Sequence, residues 1–90
     1  MSMDDQLAQM ERFLHDLRGF NDQLASAARE LAAAHDRVSP LWQDSFRREY
    51  DALYAPFAER LERYHTQEAP AFEAFLHEKI AALHRYLFGN

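Results

Sequence analysis

The chain has 90 residues, a formal charge of −5 and no cysteine. That length allows one domain, and burial on folding reaches only about 60–65% of the unfolded surface. The missing cysteines exclude disulfides and thiolate metal sites. The acidic balance argues against nucleic acid or anionic membrane as a partner, because phosphate binding needs clustered Lys and Arg. The tight basic pair Arg47–Arg48 sits among Asp44, Glu49 and Asp51 and is expected on a solvated helix face.

Met1 to Gln9 is acidic and carries no apolar h-region, so a cleaved signal peptide is not expected. No apolar run approaches the ~20 residues of a membrane span. A cytoplasmic location follows as the expectation.

Apolar residues recur at spacings of 3 and 4, which predicts helices throughout. In the first segment Leu7, Met10, Leu14, Leu17, Asn21, Leu24, Ala28, Leu31, His35 and Val38 form an a/d heptad seam. Phe13, Phe20, Ala27 and Ala34 fall beside it once per heptad and widen the stripe enough to meet two helices. A helix over about 4–36 is predicted. Gly19 inside it costs roughly 1 kcal/mol relative to Ala, which the surrounding pattern overrides.

A reversal is expected at 37–39, with Ser39 as N-cap and Pro40 at the first position of a second helix. That helix, over about 40–66, carries Trp42, Phe46, Tyr50, Leu53, Phe57, Leu61 and Tyr64 as its stripe. Pro56 inside it predicts a kink. At 66–70, Thr-Gln-Glu-Ala-Pro either turns the chain or bends the helix. A last helix over about 70–88 bears Phe72, Leu76, Ile80, Leu83 and Leu87, with Gly89 as its C-cap. The predicted fold is all-α: a long helical hairpin with a third C-terminal helix, as a three-helix bundle or as part of a dimeric four-helix-type bundle. Three segments with the first as the long spine is the preferred form.

Chemistry-bearing residues are few. Asn21 on the seam is either a register device, since a buried seam Asn disfavours misaligned pairing, or an edge residue reaching water. His35 is either a pH-sensitive interface residue or a cation at the negative end of the helix dipole. Glu11 with His15, and Glu73 with His77, are i,i+4 pairs that read as solvated ion pairs, or as a two-His, two-carboxylate metal site if the helices run side by side. No nucleophile with a base and an orienting acid is recognisable, and neither a phosphate loop nor an EF-hand loop is present. No catalytic residue and no cofactor is assigned. The lone Trp42 near the turn suits plugging the open end of two helices, or a partner contact.

The long first helix, the mid-chain turn and Trp42-Gln43-Asp44 at that turn resemble the small type VII secretion substrates of the Trp-x-Gly family, mainly over residues 5–68. Asp44 stands where that family has Gly, so the likeness is to a divergent Trp-x-Asp relative. Tyr64 and Glu68 match the spacing of the family's Tyr-x-x-x-Asp/Glu export signal. A helix of about twenty residues follows here, where the family has a short tail. The resemblance implies a helical hairpin that dimerises into a four-helix bundle, and export without a cleaved signal peptide.

The function expected from these features is non-enzymatic. The chain associates with itself, as a dimer first of all, or with a related helical protein. The contact residues expected are Met10, Leu14, Leu17, Asn21, Leu24, Leu31, Trp42, Phe46, Tyr50, Leu53 and Phe57. The alternatives are a small metal-binding bundle using the Glu/His pairs, or an adaptor or antitoxin-like subunit of a larger complex.

Overall fold

The computed structural model describes residues 2–89, and every long element in them is helical. Helix α1 spans Met3–Val38, α2 spans Phe46–Arg63 and α3 spans Ala69–Phe88. No strand occurs among the described residues. The protein is all-α.

Helix α1 starts where Ser2 caps it, the hydroxyl oxygen accepting from the Asp5 N–H at 3.2 Å. Asp4 and Asp5 in the first turn, with His35 and Arg37 in the last, complement the helix dipole. Gly19 lies inside without interrupting it.

The link between the arms differs from the sequence expectation. Ser39 does not cap a second helix. It ends α1, and Ser39–Leu41 forms a single 3-10 turn with Pro40 at its start. Helix α2 begins at Phe46 rather than residue 40, with Ser45 at the N-cap position and the side chain of Asp44 holding the turn that leads into it. One Asp44 oxygen accepts from the Phe46 N–H at 3.0 Å and from the Trp42 indole N–H at 2.7 Å. Arg47 is not on a solvated face either. Its guanidinium donates to the Ser39 carbonyl and hydroxyl and to the Trp42 carbonyl, and its Nε pairs with Asp51 at 3.1 Å. It therefore satisfies backbone oxygens left over at the end of α1.

Helix α2 continues through Pro56. At 66–70 the chain does not turn. Tyr64–Glu68 forms a π-helical turn, with the Ala69 N–H reaching the Tyr64 carbonyl, and α3 follows directly. Pro70 has no N–H to give the Thr66 carbonyl, and the wider turn accommodates its ring without breaking the arm. Segments of 18, 5 and 20 residues thus join into one arm. At roughly 1.5 Å per residue such an arm is about 64 Å long, and the molecule measures 64 × 22 × 16 Å. A three-helix bundle within one chain is not formed. Gly89 ends α3 in the left-handed conformation, φ 79°, as a C-cap.

The two arms lie antiparallel. Their radius of gyration is 19.7 Å, against about 12 Å for a compact domain of this length. Leu7, Leu14, Ala69 and Leu83 form the buried apolar core, together with Asn21. Ala69 and Asn21 lie near the middle of the hairpin, and Leu7, Leu14 and Leu83 lie in the half remote from the link. There α1 packs directly on α3, whereas α2 stands off from α1 and buries no residue fully.

Candidate functional site: a clamp, a wedge and an apolar flank

The polar clamp starts from Asn21, which is 7% exposed. Its amide N–H donates to Glu73 at 2.8 Å and its carbonyl accepts from the Tyr64 hydroxyl at 2.6 Å. Arg18 closes the other Glu73 oxygen at 3.3 Å. Heptad position places Asn21 on the inward seam. The π-turn brings Tyr64 and α3 brings Glu73 to the same level. Asn21 is therefore buried on the seam rather than reaching water at its edge, and both its amide nitrogen and its amide oxygen are engaged.

The aromatic wedge sits nearer the link. The His35 ring is stacked on Tyr54, with centroids 4.0 Å apart and planes 5° apart, and lies 5.5 Å from Tyr50. His35 Nδ1 and the Tyr50 hydroxyl are 2.8 Å apart, with donor and acceptor set by the tautomer. Trp42 tilts against Tyr50 at 4.8 Å. Rings stacked between two helices hold their axes further apart than Leu and Ala do, which is why α2 stands off from α1. Trp42 is half-buried and closes the open end of the wedge.

Between clamp and wedge lies a groove of about 440 Å³. Ala25, Ala28, Ala32, Ala58 and Ala69 line it, along with Leu24, Leu31 and Leu61, and Arg29, Glu62 and His65 border it on the polar side. Large spacers at both ends and small residues between them leave this volume unfilled.

The apolar flank follows from helix geometry. At about 100° per residue, Phe13, Phe20 and Leu31 lie roughly 80–100° to one side of the inward direction on α1. Leu53, Phe57, Phe72, Phe75 and Tyr86 are displaced in the same rotational sense on the second arm. The same sense of rotation on two antiparallel right-handed helices leads to the same side of the hairpin. These residues are exposed, Leu53 to 76% and Phe75 to 68%. Glu68 and Lys79 are set among them. The opposite flank carries Glu11, Arg18, Asp22, Arg29, Asp51 and Glu62.

The expected contact residues divide accordingly. Leu14 and Asn21 are buried, and Met10, Leu17, Leu24, Trp42 and Tyr50 are half-buried within the hairpin. Leu31, Phe46, Leu53 and Phe57 are exposed. The stripe assigned to the second helix thus spans two faces: Tyr50, Leu61 and Tyr64 turn toward α1, joined by Tyr54 and Ala58 from outside the stripe, while Phe46, Leu53 and Phe57 turn out. Phe72, Phe75 and Tyr86 were not among the expected contacts, though Phe72 belongs to the last helix's apolar stripe and Phe75 and Tyr86 stand one position before its Leu76 and Leu87.

The Glu/His pairs do not converge. Glu73 is held by Arg18 and Asn21, and no group of three or more His, Asp or Glu side chains is placed to hold a metal ion among the described residues. Among those residues no helix is long and apolar enough to cross a membrane.

These features define a class by geometry, an elongated antiparallel helical hairpin with one apolar flank and a polar clamp. Comparison with protein-family models, curated proteins and solved structures returns no match.

Proposed function

We propose that this chain is a non-enzymatic helical interaction protein that associates with a second copy of itself through its apolar flank, giving a four-helix bundle. The observation that carries the reading is the exposed area. A compact monomer of 10.6 kDa exposes about 5,500 Å². This hairpin exposes 7096 Å², an excess of roughly 1,600 Å² over that expectation. A standard stable interface takes about 800 Å² from each partner and homodimers often take more, so the excess is sufficient for one. Its aromatic composition also suits an interface core.

Light scattering behind size exclusion over a concentration series tests this. A dimer is expected for the wild type. Phe75→Glu, which changes an exposed ring and leaves the intrachain core alone, is expected to give a helical monomer. A wild-type monomer at all concentrations, or a Phe75→Glu dimer of undiminished stability, would sink the reading.

Trp42 in the link between the arms favours a narrower form, a divergent relative of small type VII secretion substrates. Asp44, in place of the family's Gly, holds the Trp42 indole and starts α2. The Tyr64–Glu68 pair lends this form no support, since Tyr64 is bound to Asn21 inside the hairpin rather than presented in a tail. Export of the tagged chain by a host with a type VII system, abolished when that system is deleted, is the expected result. Retention in the producing cell would remove the narrower form and leave self-association standing.

A further inference from the structure

From the groove between clamp and wedge we infer that each copy receives the Phe20 ring of the other between its arms, so that the dimer is interlocked rather than laid face to face. The inference rests on the self-association proposed above.

The reasoning begins with volume. Protein interiors close to a packing density near that of organic crystals, and a gap of about 440 Å³ remains between these arms. The hairpin cannot close it alone. The His35–Tyr54 stack fixes the spacing at one end and the Tyr64–Asn21 hydrogen bond fixes it at the other. The alanines between are too short to meet. Arg29, Glu62 and His65 at its polar edge are exposed to solvent, and the polar groups at its clamp end are satisfied. No buried side-chain nitrogen or oxygen in the described residues lacks a partner, so Asn21 and Tyr64 already answer one another. What fits is an apolar group of aromatic size brought in from outside.

A second copy carries such a group at the right level. Phe20 is 55% exposed and stands on the apolar flank one turn from the groove, which is bordered by Leu24 and Leu31 on that side and by Arg29 and Glu62 on the other. Closed dimers are predominantly twofold, with the same patch used by both copies. A twofold axis crossing both hairpins at Leu24 places Phe20 of each copy opposite Ala28 of the other, since both lie four positions from the axis. Each ring then enters a hole walled by small residues, in the manner of knobs packing into holes. The same axis keeps most of both 64 Å rods in contact.

Isotope-filtered NMR on a mixed dimer, one copy ¹³C-labelled and one unlabelled, tests this on the wild-type chain. Intermolecular contacts from the Phe20 ring to the Ala28 and Ala58 methyls are expected. As a second measurement, Ala28→Phe fills the groove from within. It is expected to weaken dimerisation by about tenfold or more while helicity at 222 nm is retained. A dimer showing flank contacts but none at the alanine methyls overturns the interlock and leaves self-association intact. So does an Ala28→Phe dimer as tight as the wild type. A wild-type chain that stays monomeric overturns both proposals together.

Discussion

Replacing Asn21 by Ala removes the buried polar residue at the centre of the clamp. Two hydrogen bonds go with it. The one to Glu73 is short, at 2.8 Å, and its acceptor is a carboxylate, so it is worth roughly 1.5–3 kcal/mol; the one from Tyr64 joins neutral groups and is worth about 1 kcal/mol. The Glu73 side chain is 28% exposed, so water recovers part of the first. The expected loss is therefore about 2–3 kcal/mol, out of the roughly 5–13 kcal/mol that a chain of this length has in total. Tyr64→Phe alone should cost about 1 kcal/mol, because it strands the Asn21 carbonyl. The double variant should lose less than the two single losses combined, by about 1 kcal/mol. Urea unfolding followed at 222 nm, at one fixed protein concentration, measures all four states. An Asn21→Ala variant within about 0.5 kcal/mol of wild type, or additive single effects, would refute the idea that the clamp aligns the arms.

Other outcomes follow from the same geometry. A Cβ at Gly19 meets nothing within 4 Å, so Gly19→Ala should stabilise by about 1 kcal/mol; an unchanged or lower melting temperature would count against it. Leu83→Ala, in the small core, should cost about 2–3 kcal/mol, read by the same urea curves, and a loss below about 1 kcal/mol would mean the site collapses around the cavity. Arg47→Ala releases the Ser39 and Trp42 oxygens and should speed amide exchange in the link while leaving α3 unaffected; equal exchange in the links of variant and wild type would show that the guanidinium is not what holds it. Pro70→Ala should keep the wide turn, because Tyr64 and Ala69, five residues apart, both face α1. Regular i,i+4 amide contacts there by NMR would assign the turn to the proline instead.

The all-α class, the first helix and its seam were legible because one heptad pattern runs unbroken, and Leu7, Leu14 and Asn21 on it are buried. The C-cap at Gly89 was legible for a local reason, the freedom of glycine at positive φ. The second arm was harder. Phe46 and Leu53 are as apolar as any core residue, and periodicity cannot say which of two adjacent apolar faces meets a neighbour. The π-turn then shifts the phase by one residue, so Tyr64 and Ala69 share a face that a regular helix would not give them. Pro40 and Pro70 read as punctuation. One starts a 3-10 turn and the other is absorbed by a wider turn, because side chains elsewhere, Asp44 and Tyr64, decide where hydrogen bonds go. The partners of Asn21 lie 43 and 52 positions away, and no local pattern points to them.

The unequal packing along the rod sets the order in which it comes apart. A hairpin ordinarily opens at its free ends and holds longest at its bend. Here the buried residues run from the far end to mid-rod, and the bend is splayed by stacked rings. Breathing therefore begins in the middle of the chain, and the tight contacts between the first third and the last hold until the global transition. Forming them in the first place means closing a loop of more than fifty residues, as Arg18 to Glu73 does, with little help from a pre-formed bend. Such closure grows only logarithmically costly with length, and a second copy that braces the splayed half would complete what the bend leaves undone.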